Sequence, residues 1–264
     1  LLPKYGYASP GALYATQMYL EISGIYNLAS GYYYYHPVNH QLVLITQLKD
    51  SKTAQCKVHF VGKKSAIEPI YKNNILEVLE MEVGHIVGYF ENILPTYGLN
   101  IKPDEYLPNR IESLEVAHDD YYLGSFNVVS GSKDVMADDV NVYVQAHPGK
   151  VVDLKAGTYL YENGQLTPAS SKIILKKHVI AINQSVYEKS SFGISVLSTS
   201  NQEWLDYINL GRKLQSLQMN DFNIGFMSSG YSSKTGNNLP SAKRIKDILN
   251  KEVGPSYFFI GGTI

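Results

Sequence analysis

Tyr71 and Lys72 stand side by side in KKSAIEPIYKNN at 63–74, just ahead of a long amphipathic stretch. A phenol beside an ammonium is a candidate acid–base pair. Free tyrosine titrates near pH ~10, so it is a poor base at neutral pH unless a cation or a helix N-terminus favours the phenolate. The other reading of Tyr71 is an aromatic cap packed on the core. Near the start, Ser9, Pro10, Gly11, Ala12, Leu13 and Tyr14 make a tight turn of mostly small residues. Such a turn lets backbone approach a flat ligand, and its N–H groups can meet ring heteroatoms. A third group lies within GFMSSGYSSKTGNNLPSAKR at 225–244. There Ser228, Ser229, Gly230, Ser232, Ser233 and Lys234 offer hydroxyls, N–H groups and a cation, the makings of a phosphate cradle. The stretch lacks the glycine spacing of a P-loop. Its other reading is a polar surface loop before a helix at 241–250.

These residues need elements to hold them. Residues 14–22 read as a strand, 32–36 with 41–46 as a hairpin, and 56–62 as a further strand. Ile75, Leu79, Val83, Ile86, Phe90 and Ile93 recur at helical spacing. The second half repeats the order: a strand at 140–146, a hairpin of 157–161 with 165–167, a strand at 192–198, and a helix over about 201–219. Three glycine pairs align the halves: Gly31 with Gly157, Gly84 with Gly211, and Gly98 with Gly225. A glycine inside a helix costs about 1 kcal/mol relative to alanine, so matched helical glycines point to a shared packing need. The expectation is an α+β fold of two internally duplicated lobes forming a pseudo-dimer, divided into 1–115 and 116–264. Unrelated hairpins with similar turns are the other explanation. Function should lie where the copies differ. Only the first carries the Ser9–Tyr14 turn and the Tyr71-Lys72 pair, and only the second carries 228–234. A composite site across the lobe interface is expected, with a flat-ring platform from one lobe and phosphate contacts from the other.

Composition narrows the class. The 264 residues carry a formal net charge of −1 and are 44% hydrophobic, enough for one large or two small cores. That charge balance gives no electrostatic footprint for nucleic acid. No apolar run approaches the ~20 residues that span a bilayer, so no membrane association is expected. The single cysteine, Cys56, excludes an internal disulfide and fits a cytoplasmic location. No H-E-x-x-H pattern or cysteine pair suggests a metal site. The first residue is Leu, and the chain is read as a piece of a longer polypeptide.

SPGALYATQMYLEI, IYNLASGYYYYHPVNHQLVLI and IYKNNILEVLEMEVGH together resemble the nitroreductase-like FMN-dependent oxidases. Within them the chain is most similar to azoline-dehydrogenase-type enzymes and to the oxidation domains of indigoidine-type nonribosomal peptide synthetases. The resemblance runs over essentially the whole chain and implies a nitroreductase-like fold with FMN at the lobe interface. It places the flavin along Ser9, Pro10, Gly11, Ala12, Leu13 and Tyr14. Azoline dehydrogenases carry a Lys-Tyr pair before the long helix. Here Ile70 replaces that lysine, and Tyr71 is kept with Lys72 after it. The arginine-rich segment that holds the FMN phosphate in nitroreductases has no counterpart, so that contact is expected either before Leu1 or from 228–244. The implied activity is an oxidase using O2 that dehydrogenates a tethered aminoacyl substrate, glutaminyl thioester. Its implied partners are the peptidyl carrier protein and the adenylation domain of the same synthetase. Azoline-to-azole dehydrogenation is the alternative enzyme, and a non-catalytic docking lobe is the alternative of another class.

Overall fold

The computed structural model describes residues 5–131, 139–222 and 226–261. The chain divides into two compact units, Leu1–Ala137 and Asp138–Ile264. In the first, β1 (Thr16–Ser23), β2 (Gly31–His36), β3 (Gln41–Gln47) and β4 (Gln55–Gly62) are followed by the short α1 (Lys64–Ile67) and the long α2 (Ile75–Ile93). β5 (Leu99–Pro103) and β6 (Tyr121–Ser130) complete a six-stranded antiparallel sheet in the order β3-β2-β1-β4-β6-β5. The alternation of β1 sends Thr16 toward α2, where it meets Glu82, and Tyr19 to the opposite face. On that opposite face Tyr19 joins Val61, Tyr122 and Leu114, the last from the 3-10 turn Pro108–Leu114. α2 is buried from Glu77 to Gly88.

The second unit holds β7 (Val140–Ala146), β8 (Gly157–Glu162), β9 (Gln165–Ser170), α3 (Gln184–Lys189), β10 (Phe192–Ser198), α4 (Asp206–Ser216), β11 (Met227–Tyr231), α5 (Pro240–Leu249) and β12 (Ser256–Gly261). Its sheet runs β9-β8-β7-β10-β12-β11, which is the first sheet's order with every strand number raised by six. The fold is therefore α+β with two similar six-stranded lobes.

Local chemistry explains why the repeat was visible in residues. Gly31 and Gly157 each open the first strand of their hairpin, β2 and β8. A Cβ at Gly31 would come within 2.6 Å of Thr46 O, and one at Gly157 within 2.7 Å of Ser170 O. Each hairpin then shifts register one residue on, between Tyr32 and Tyr33 and between Thr158 and Tyr159. Each shift is followed by a buried tyrosine whose hydroxyl donates to the carbonyl four residues back. Tyr33 donates to Ala29 at 2.6 Å and Tyr159 to Lys155 at 2.7 Å. Gly84 and Gly211 both occupy buried positions, on α2 and α4. Gly98 closes the turn after α2 with φ 69°, whereas its expected counterpart Gly225 lies outside the described residues.

Three expectations are revised. The division falls after Ala137 rather than after 115, because β6 pairs with both β4 and β5 and completes the first sheet. The second long helix is regular only over Asp206–Ser216, entered by a 3-10 turn and followed by a π-type turn at Leu217–Phe222. The segment read as a cradle loop begins as strand β11. Among the described residues no helix is long and apolar enough to cross a membrane. His36 and His40 stand four apart around the β2–β3 turn, but the described residues contain no group of three metal-ligating side chains.

Candidate functional site

The Ser9–Tyr14 turn is strained. Gly11, Ala12 and Tyr14 all have positive φ, at 63°, 54° and 48°. For the two non-glycine residues that conformation is costly, and such strain concentrates at functional sites. Gly11 and Ala12 are exposed, leaving an open small-residue surface. The N–H groups expected to meet a ligand are largely engaged within the turn. Ala12 N–H donates to Ser9 O, Leu13 N–H to Pro10 O and Tyr14 N–H to Ser9 Oγ.

Tyr71 comes to this turn. A Cβ on Gly11 would lie 3.2 Å from its hydroxyl. The expected route to a phenolate is absent, however. Tyr71 N–H closes the end of α1 on Ile67 O, and α2 begins only at Ile75, so Tyr71 is not in a first helical turn. Its pKa is raised, first by burial and then by the negative field of Glu82. The upward shift keeps the Tyr71 phenol protonated at neutral pH rather than as a phenolate. Lys72 is exposed.

Glu82 is the group that sequence reading missed. It is 2% exposed, and its Oε2 accepts both the N–H of Thr16 at 2.8 Å and its hydroxyl at 2.6 Å. Among the described residues its Oε1 has no hydrogen-bond partner. Burial raises its pKa, opposed by the Ser9 and Thr16 hydroxyls. Its field also pushes the Tyr7 phenol up, after burial as the larger cause. The signal was available: counted from the aligned Gly84 and Gly211, Glu82 matches Asn209. By strand register Thr16 matches Val140, since Ile22 and Ala146 each pair with the opening glycine of their hairpin. The buried carboxylate and its strand hydroxyl are thus not repeated at the matched positions of the second unit.

Beside the turn, sharing only Tyr14 with it, lies a cavity of about 500 Å³. β1, the β2–β3 hairpin, α1 and the C-terminal half of α2 wall it, through Met18, Tyr35, Ala66, Ile86 and Tyr89 among others. At one end Tyr5 and Tyr14 stack with ring centroids 3.9 Å apart, and Tyr7 meets both edge-on.

The 228–234 set does not assemble as one cradle. Ser229 is fully buried in β11, where its hydroxyl accepts from Asn183, and Ser228 gives its carbonyl to the same amide. Gly230 is where β11 passes α5; a Cβ there would overlap Ser241 Oγ. Ser232, Ser233 and Lys234 do line a second-unit cavity of about 290 Å³, together with Glu203 and Asp206. Ser232 Oγ is bonded to Tyr207, Ser233 Oγ to Thr235, and the Lys234 ammonium lies 5.6 Å from the centre of the Tyr207 ring. Two carboxylates and occupied hydroxyls suit a phosphate dianion poorly. The Ser9–Tyr14 turn thus offers an exposed small-residue surface, whereas Ser232, Ser233 and Lys234 stand beside two carboxylates.

No protein-family model matches the chain. The whole chain is 60% identical over 269 aligned residues to part of indigoidine synthase from Streptomyces lavendulae, covering 21% of that protein. It is 54% identical over 264 residues to part of indigoidine synthase from Dickeya dadantii, covering 18%. The chain spans about a fifth of the length of the curated relatives it matches. A crystal structure from Anabaena variabilis, provisionally assigned as a nitroreductase, superposes with a TM-score of 0.77 at 10% identity, covering 98% of this chain and 82% of that one. The chain is thus closely related to a segment of the indigoidine synthases, and its fold is nitroreductase-like.

Proposed function

We propose that this chain is the oxidation segment of an indigoidine-type nonribosomal peptide synthetase, an FMN-dependent oxidase acting in the cytoplasm. Its substrate would be an aminoacyl group, glutaminyl thioester, held on the peptidyl carrier protein and loaded by the adenylation domain of the same synthetase. The observation that carries the reading is the match of the entire chain to segments of two indigoidine synthases. The one-sided distribution of residues supports it: by sequence, the Pro-Gly pair of the Ser9–Tyr14 turn, Tyr71 and Glu82 of the first unit are not repeated in the second.

Dehydrogenation removes a proton from one atom and a hydride from its neighbour. When bound, FMN supplies the hydride acceptor, and its return to the oxidised form by O2 makes the reaction an oxidase reaction. The chain's part is to orient the acyl group and to handle the proton. Ser9–Tyr14 would carry the flat ring on its exposed face. Tyr71, protonated and pressed against Gly11, would hold a proton or a hydrogen bond at the reacting atoms. Glu82 would supply the buried carboxylate behind it.

The test is a visible spectrum of the purified chain, followed by identification of any chromophore released by heat. Flavin bands with FMN in the supernatant are the expected result. A colourless protein that also fails to take up added FMN would overturn the oxidase reading of this segment.

A further inference from the structure

The strained turn needs something to hold it. Positive φ at Gly11, Ala12 and Tyr14 persists only where surrounding contacts outweigh its cost. Gly11 and Ala12 are exposed, so the hold has to come largely from the two ends. At the entrance, Ser9 is extended, with φ -117° and ψ 129°. Its hydroxyl oxygen accepts the N–H of Tyr14 at 2.8 Å, which closes the turn on its own start. A hydroxyl that accepts still has one hydrogen to give. Ser9 gives it to Glu82 and so favours the ionised carboxylate. At the exit, Thr16 N–H and hydroxyl donate to the same carboxylate at 2.8 and 2.6 Å, and the Ala15 N–H also favours its charged form. One side chain of α2 therefore ties both ends of the segment from Ser9 to Thr16.

The chemistry of the tie suits its place. The groups converging on Glu82 here are all donors, and an ionised carboxylate is an acceptor at both oxygens. Bonds to a charged acceptor are roughly twice as strong as neutral ones. At 2% exposure water cannot compete for them. α2 is buried from Glu77 to Gly88, which makes the helix a fixed post. Tyr71 presses on Gly11 between the two ends. The outward face of Gly11 and Ala12 is thus left open while the rest of the turn is held.

We propose that Glu82 is a positioning residue for the flat ring: through the Ser9 hydroxyl it holds the Ser9–Tyr14 turn in the strained form whose exposed face receives the ring, and in this way it sets the affinity for FMN. The identity of the ring rests on the oxidase reading; the hold on the turn does not.

Two readouts test this. Amide exchange by NMR in the flavin-free chain reports the turn, and fluorescence quenching of added FMN reports affinity. Glu82→Gln keeps an oxygen for Thr16 but removes the charge and the second acceptor that draw the Ser9 hydroxyl. Exchange at Tyr14 should quicken by about fivefold, the factor carried by one ordinary hydrogen bond, with Thr16 and the rest of β1 unmoved. FMN should bind more weakly by about the same factor, because only the strained form receives it. Ser9→Ala should weaken FMN at least as much. Adding Glu82→Gln to it should cost nothing more, because both remove the same bond. Ser9→Thr keeps the hydroxyl and should bind FMN like wild type. Unchanged Tyr14 exchange in Glu82→Gln overturns the proposal. So does an equal rise at Thr16 and along β1, the mark of general loosening. FMN affinity unmoved in a chain whose turn has loosened, or losses that multiply in the double variant, would overturn it as well. Failure of the wild-type chain to take up FMN would overturn the oxidase reading, and Tyr14 exchange would still decide whether Glu82 holds the turn.

Discussion

Replacing Glu82 by leucine and by glutamine separates its charge from its hydrogen bonds. Thr16 N–H and hydroxyl both donate to Oε2, at 2.8 and 2.6 Å, in a place 2% exposed. Leucine strands both donors. Each costs about 1–3 kcal/mol, so the loss is about 2–6 kcal/mol, reduced by whatever burying the carboxyl had cost. Glutamine can keep an oxygen in the same place, and its cost should stay near or below about 1 kcal/mol. A second signature is pH. Burial raises the Glu82 pKa above its ordinary 4.5, so the native chain binds this proton more tightly than the unfolded chain. Its stabilisation is fully present below the ordinary value and is lost as pH rises through the folded value. Glu82→Gln cannot titrate, so the stability of wild type relative to that variant should fall through this window and then level off. The assay is urea unfolding by far-UV circular dichroism across pH, with amide exchange in β1 to localise the effect. The m values must match before midpoints are compared, because two units need not unfold as one transition. Equal costs for leucine and glutamine, or a pH-independent difference, would refute the reasoning.

Tyr71→Phe should retain FMN and lower turnover by about a hundredfold or more, the usual size of a lost acid–base group; unchanged turnover would remove Tyr71 from the chemistry. Gly230→Ala should destabilise the second unit by about 1–3 kcal/mol, because its Cβ would overlap Ser241 Oγ at a φ of 152°. A urea midpoint equal to wild type would show that α5 yields freely. Tyr33→Phe and Tyr159→Phe should each cost about 1 kcal/mol for the lost bond to the carbonyl four residues back. Amide exchange in the two hairpins would show matched losses, and a loss in only one would break the equivalence drawn between the units.

Reading the chain residue by residue recovered what depends on neighbours in sequence. The hairpins, β4, β7 and β10 lie where runs of β-branched and aromatic residues put them, and α2 lies where helical spacing puts it. The duplication was legible through Gly31 and Gly157 because one steric demand, a neighbouring carbonyl where a Cβ would go, acts at both. The Ser9–Tyr14 turn was legible because Pro-Gly-Ala leaves few backbone options.

What the sequence could not decide is where distant polar groups meet. Serines at 228–234 look alike in a string, but β11 buries Ser229 against Asn183 and leaves Ser232–Lys234 facing a cavity that also holds two carboxylates. Lys72 adjoins Tyr71 in sequence, yet Glu82, eleven residues on, sets the field at the phenol, because pKa follows burial and distance through space. Composition and periodicity fixed one α+β unit written twice. Only tertiary packing settled that one unit joins a strained turn, a buried carboxylate and a cavity lined by six tyrosines, while Glu162, Asp221 and Lys213 line a cavity in the other.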